Sequence, residues 1–194
     1  MHDRLRIEPR DLLNAYCIGA FPMAMDDGSL GWFSPDPRGV IPLESFHIPH
    51  GLKRTLKKAL FEIRINSAFA DVIRECGSRK ETWIDETIIA SYQQLHSMGF
   101  AHSVEAWQEG ELVGGLYGVS IAGAFFGESM FSKKTDASKV ALVSLVRRLR
   151  RRNFTLLDTQ WSTPHLKSFG CIDISKKYYM EKLAQALAQN VKFV

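Results

Sequence analysis

Two polar side chains close the segment FTLLDTQ (154–160). Asp158 and Gln160 stand two residues apart, which in a strand puts them on one face, with Thr159 on the other. A carboxylate and an amide at the C-terminal end of a strand, just before a helix, suit an open α/β active site. The plainer alternative is that they mark where the strand leaves the core, with Asp158 paired to an arginine. Glu128 poses a similar choice. It stands in FFGESMFS (125–132) among aromatics, a methionine and small residues, where an unpaired buried carboxylate is costly. Glu128 and Met130 share a strand face, and Phe126 shares it too if no bulge intervenes. That face is either a solvated edge or an apolar pocket with one carboxylate at its floor or rim.

Other residues offer binding rather than reaction. Trp32 and Trp83 lie in Pro- or Gly-flanked loops, where they cover a core or stack on nucleobases. Two basic groups, LKRTLKK (52–58) and RRLRRR (147–152), read singly as solvated faces. The second also complements the end of a helix. Together they can track a phosphate backbone. LVGGLYG (112–118) lacks the Lys-Ser/Thr end of a phosphate loop, so its glycines point to close backbone packing. His165 has no nucleophile beside it in a recognisable turn and reads as structural. Cys17, Cys76 and Cys171 are far apart and odd in number, consistent with reduced thiols.

The elements that must hold these residues follow from periodicity. Helices are predicted over 9–19, over 50–60 with Leu52, Leu56 and Leu60 on one stripe, from Ser67 to Glu75, and from Asp85 to Gly99. FEIRIN (61–66) alternates as a short strand. Three more strands fill 101–132, joined by a Glu109-Gly110 hairpin turn and a turn at Ala122-Gly123. A helix over 137–152, the strand 154–160, a short helix at 163–169 and a last helix at 175–188 complete the chain. This order predicts an α/β (α+β) domain with a mixed sheet over 61–194, preceded by a smaller N-terminal lobe over 1–60. At 194 residues with a net charge of +4, the chain is long enough for a sizeable core and only weakly biased towards anionic partners. The start, MHDRLRIEPRDLL, has no apolar leader and no run is long enough to span a bilayer, so a cytoplasmic protein is expected.

GAFPM, WFSPDPRGVIPL, HSVEAW, LVGGLYG, FFGESMFS, ASKVAL, DTQ and HLKSFG occur in this order between Gly19 and Gly170. As an ordered set they resemble the leucyl/phenylalanyl-tRNA–protein transferase family, whose main domain is similar to the GCN5-related N-acetyltransferase fold. The resemblance implies transfer of leucine or phenylalanine from aminoacyl-tRNA to the N-terminal α-amine of proteins beginning with arginine or lysine, creating an N-degron for degradation. It implies that Asp158 and Gln160 form the central catalytic pair. It sets Trp32 and Trp83 around the terminal adenosine, and Phe125, Glu128 and Met130 around the transferred residue. The chain departs from the family's pattern at Ala20 and at Ile174-Ser175-Lys176.

An aminoacyl ester is already activated, so the implied reaction needs no ATP, metal or other cofactor. The acceptor amine, with a pKa of about 7.7–8.0, loses its proton at a cost of only about 1 kcal/mol at neutral pH. Gln160 is then expected to position the amine or ester, and Asp158 to orient Gln160, with a relay from Asp158 through Gln160 as the alternative. Methionine is expected as a further donor residue, and Lys53, Arg54, Lys57 and Lys58 as the tRNA contact of a monomeric enzyme. An acetyl-CoA-dependent acetyltransferase of the same fold would hold pyrophosphate in a Gly-rich loop; SKKTDASK (132–139) has no glycine. A non-catalytic RNA-binding module would explain the basic clusters but not the DTQ strand.

Overall fold

A computed structural model describes residues 6–79 and 82–194. Residues 1–5, where both the stretch read for an apolar leader and the expected N-terminal lobe begin, lie outside the described residues. The chain runs α1 (Pro9–Cys17), β1 (Phe21–Ala24), β2 (Leu30–Phe33), β3 (Arg38–Val40), α2 (His50–Lys58), β4 (Glu62–Ile65), α3 (Phe69–Gly77) and α4 (Glu86–Ser97). It continues with β5 (Ala101–Gln108), β6 (Glu111–Ile121), β7 (Ala124–Ser132), α5 (Ala137–Arg151), β8 (Leu156–Gln160), α6 (Pro164–Lys167), β9 (Ile172–Ile174) and α7 (Lys176–Leu187). No helix among the described residues is long and apolar enough to cross a membrane.

The expected mixed sheet is present. Seven strands lie in the order β4-β5-β6-β7-β8-β3-β9, with β7 and β8 as the parallel pair and antiparallel neighbours elsewhere. The β5–β6 turn forms as expected, with Glu109 and Gly110 both at positive φ. One face packs against α1, α3, α4 and α7 through Leu12, Tyr16, Phe69, Val72, Ile88, Tyr92, Tyr179 and Leu183. The other packs against α5 and α2 through Val140, Leu142, Leu145, Leu149 and Leu52. The segment over 1–60 does not stand wholly apart: β1 and β2 form a separate hairpin, but β3 lies in the large sheet between β8 and β9.

Strand β3 approaches β8 closely because Gly39, opposite Gln160, has no side chain. An added Cβ there would come within 2.5 Å of the Trp161 carbonyl carbon. Beside it, Arg38 turns inward to a bidentate ion pair with Asp158, Nε to Oδ1 at 2.9 Å and Nη2 to Oδ2 at 2.7 Å. Its Nη1 donates to the Gly19 carbonyl at 2.9 Å, and its guanidinium lies 5.0 Å from the Phe21 ring and 4.6 Å from the Tyr179 ring. The Tyr179 hydroxyl and the Gln160 backbone N–H donate to the same carboxylate at 2.7 and 2.8 Å. Both charges are buried. One pair thus ties the turn after α1, β3, β8 and α7 together.

Breaking a buried pair costs more than the pair contributes, because the surviving charge stays desolvated. Arg38→Met should therefore lose about 3–5 kcal/mol in urea unfolding at pH 7. Adding Asp158→Asn should recover part of that loss, since a neutral amide needs no counter-ion. A loss below about 1 kcal/mol in the single variant, the level of an exposed pair, would remove the ion pair as a tie.

Candidate functional site

The parallel pairing of β7 with β8 ends at Phe126 opposite Asp158. Beyond that point β8 stays with β3, while β7 stays with β6 as far as Ser132. The two strands diverge, and a cavity of about 350 Å³ opens between them. Its walls include Glu128, Met130, Leu142, Leu145, Leu157, Gln160 and Leu166, with Trp83, Trp161 and Arg79 also lining it.

A β-bulge sets what enters this cavity. Tyr117 is opposite Ser129 and Gly118 is opposite Gly127, so Glu128 is the extra residue in β7. The bulge inverts the alternation. Phe126 and Phe131 both pack on the α1/α4 face, whereas Phe125 and Met130 both pack on the α5 face. The expectation that Glu128 and Met130 share a face fails for this reason: Glu128 turns to the tyrosines of α1 and α4, on the side of Phe126, and Met130 to the α5 side.

Glu128 Oε1 accepts from the Tyr16 hydroxyl at 2.7 Å and from Gln160 Nε2 at 3.1 Å, while the Tyr92 hydroxyl reaches Oε2 at 3.5 Å. The Tyr16 and Tyr92 hydroxyls also bond each other. Burial raises the Glu128 carboxyl to about 7; the Tyr16 and Gln160 hydrogen bonds hold it down, and the Asp158 charge adds to the rise. Gln160 adopts φ +65°, a left-handed conformation that is uncommon for a residue with a side chain. Its backbone N–H is held by Asp158 and its amide by Glu128. Burial lowers the Arg38 guanidinium and Asp158 raises it, the net direction being upward, so Arg38 stays charged.

The structure therefore brings Asp158, Gln160 and Glu128 into one hydrogen-bonded chain, with Met130 and Trp83 on the cavity wall. Asp158 makes the arginine pairing weighed as the plainer alternative, and it also holds Gln160. Phe125 does not line the cavity. It is buried behind it, its ring centroid 5.1 Å from that of Phe193. Trp32 lies on β2, 46% exposed, and is not among the lining residues. A different tryptophan, Trp161, stands at the cavity, 42% exposed, with its ring edge-on to Phe21 at 5.2 Å.

Lys53, Arg54, Lys57 and Lys58 are exposed on α2 while Leu52 is buried and Leu56 half-buried, but the expected stripe stops there: the helix ends at Lys58, and Leu60 lies beyond it, exposed. The second basic cluster is partly consumed by the fold. Arg148 donates to the Phe193 carbonyl at 2.8 Å, and Arg150 donates to the Leu43 and Glu44 carbonyls. Sequence reading missed Tyr16, Arg38, Tyr92, Arg79, Trp161 and Tyr179. The available signal was modest: a charged residue in SPDPRGV, and tyrosines on otherwise apolar helical faces.

Comparison with known sequences bears on what this cavity does. The pattern of the family described as leucyl/phenylalanyl-tRNA protein transferase matches residues 40–184, and that of its N-terminal domain matches residues 6–36. The junction falls just before β3 or within it. A leucyl/phenylalanyl-tRNA–protein transferase of Paramagnetospirillum magneticum is 55% identical over 94% of this chain and 90% of its own length. One from Herpetosiphon aurantiacus is 52% identical over 97% of this chain and 98% of its own. Among solved structures, L-PGS from Bacillus licheniformis overlaps 84% of this chain and 56% of its own, with a TM-score of 0.45 at 15% identity.

The raised Glu128 carboxyl has a consequence for stability. Its folded value of about 7 lies above the ordinary carboxyl value, so the folded state binds the proton more tightly than the unfolded chain. This contribution is fully present below about pH 4.3, the unfolded value, and is lost as pH rises through 7. Glu128→Gln carries no such proton. Between pH 5 and 8 the wild-type Tm should fall relative to that of Glu128→Gln; parallel curves would show that the carboxylate is comfortably ionised in the fold.

Proposed function

This chain belongs to the leucyl/phenylalanyl-tRNA–protein transferase family, and from that premise we propose its substrates and the roles of its residues. It transfers leucine, phenylalanine or methionine from aminoacyl-tRNA to the N-terminal α-amine of proteins beginning with arginine or lysine, marking them for degradation. The observation that carries this reading is Glu128: a single carboxylate at the point where an apolar cavity meets the Gln160 amide. An aminoacyl group has that same polarity, an apolar side chain beside a charged amine and an ester.

The side chain enters between Met130 and the leucines of α5, β8 and α6, soft walls that accept unbranched or γ-branched residues. Discrimination there is limited to about 1–3 kcal/mol per methylene misfit, so methionine is accepted too. The α-ammonium faces Glu128. Trp83, with Trp161 at the same cavity, supplies the aromatic surface for the terminal adenosine. Trp32 lies off the lining and has a weaker claim to that role.

Gln160 Nε2 donates to Glu128, which leaves its carbonyl oxygen to accept an N–H of the attacking acceptor amine. The amine attacks the ester carbonyl and loses its proton, and the ribose 3′-oxygen departs as the C–O bond breaks. The ribose 2′-hydroxyl carries the proton to that oxygen. Asp158 already accepts from Arg38 Nε, Arg38 Nη2, Tyr179 and the Gln160 backbone. These bonds favour its acting by fixing Gln160 and adding negative potential, rather than as a base. Ser175, one of the positions that depart from the family's pattern, caps α7 by accepting from the Tyr178 N–H. It thereby starts the helix that brings Tyr179 to Asp158.

The direct test supplies labelled Phe-tRNA, without ATP, to matched peptides beginning with Arg, Lys, Asp, Glu or Met. Label on the Arg and Lys peptides alone is expected; label on the acidic peptides instead would move the acceptor class. For the tRNA, the exposed face of α2 is the proposed contact, since Arg148 and Arg150 are engaged in the fold. Each lost phosphate contact should flatten the log–log salt dependence of binding by about 0.7–0.9. Lys57→Glu with Lys58→Glu should do so while leaving transfer from a minimal aminoacyl-adenosine unchanged. If Arg147→Glu with Arg151→Glu flattens the slope and the lysine pair does not, the tRNA lies on α5.

A further inference from the structure

Three tyrosines converge on the bulge in β7, and one of them is unaccounted for. Tyr16 and Tyr92 bond each other and Glu128. Tyr117 is fully buried, lines the same cavity, and its hydroxyl has no hydrogen-bond partner. Buried polar groups are nearly always paired, so an orphan hydroxyl on a residue that lines a cavity calls for a partner that arrives. Its ring is not free to turn away. Phe69 and Tyr92 hold it edge-on, at centroid distances of 5.9 and 5.7 Å. In the sheet it stands directly opposite Ser129, next to the bulged Glu128.

We propose that the Tyr117 hydroxyl and the Glu128 carboxylate together form the receptor for the α-ammonium of the transferred residue. Tyr117 accepts one N–H, and Glu128 Oε2, which the Tyr92 hydroxyl reaches only at 3.5 Å, accepts another. The inference rests on the reading that an aminoacyl ester occupies this cavity, and it names the group that recognises its amine. An ester carbonyl fits that position less well, because it brings no donor to the Glu128 carboxylate. An ammonium gains from both oxygens, having three N–H donors and a full charge. An N-acylated residue has one N–H and no charge, so the receptor selects donors whose α-amine is free.

The test pairs one change in the protein with one in the donor. Tyr117→Phe keeps the ring and removes only the hydroxyl. Phenylalanyl-adenosine and 3-phenylpropionyl-adenosine differ only in the amine, and transfer from each to a peptide beginning with Arg is measured for both proteins. Because hydrogen bonds to charged groups are the strong ones, kcat/KM for phenylalanyl-adenosine should fall about ten-fold or more. For the amine-free donor it should change less than about two-fold, the signature of a direct pairing. The Tm of Tyr117→Phe should equal or exceed that of wild type, since the free protein makes no use of the hydroxyl. An equal fall for both donors, or no fall for either, overturns the proposal, as does a lowered Tm, which would mark a structural hydroxyl. Wild-type protein that transfers neither donor overturns the reading of the cavity itself, and this inference with it.

Discussion

The site depends on the buried pair between Arg38 and Asp158. Taking both charges out of water is expensive, and the fold compensates with a complete set of partners: two guanidinium bonds, a tyrosine hydroxyl and a backbone N–H on the carboxylate, and a carbonyl and two aromatic rings on the guanidinium. The partners come from three separated stretches: Gly19 and Phe21 after α1, Gln160 in β8, and Tyr179 in α7. The pair therefore does little as an isolated attraction and much as a constraint on register. If β3 or α7 shifts, a charge is left without a counterpart, and that penalty holds both where they are.

The second constraint is the extra residue in β7. A regular strand would send Glu128 and Met130 to one face and Phe126 with them, leaving no surface where charge and apolar wall meet. With the bulge, a single strand serves both faces of the sheet at the place where β7 leaves β8. The strained Gln160 then sits across the opening. Its unusual backbone is tolerated because Asp158 fixes its N–H and Glu128 fixes its amide.

Much of this was legible from residue types and spacing. The run 101–132 alternates cleanly between turn residues, and its strands and Glu109-Gly110 hairpin lie where the pattern puts them. The leucines of 137–152 make a helix that packs on one face. Strands β3 and β9, three residues each, carry no periodicity to read; pairing with neighbours distant in the chain makes them strands. The helix expected from Ser67 begins at Phe69 instead, where Glu105 accepts from the Ala68 N–H. Met130 parts from Glu128 for a comparable reason: a bulge leaves the composition of a strand unchanged while reversing the face of everything beyond it. Arg38 lies 120 positions from its partner, and no local pattern joins SPDPRGV to LLDTQ.

Glu128 shows how the two constraints bear on each other. Its carboxyl is raised by burial and by the fixed Asp158 charge, so in the free protein the ionised form is destabilised near neutral pH. The Tyr16 and Gln160 hydrogen bonds offset only part of this. A cationic group placed against Glu128 would favour the ionised form and supply the missing counter-charge at once. The unfavourable burial is then relieved by an ammonium, but not by a neutral ligand of equal shape. On the proposed reading, a stability liability of the empty fold would become selectivity in the filled one, because apolar walls make similar contact with either ligand. The Arg38–Asp158 pair cannot serve in this way, since its charges are matched before any ligand arrives.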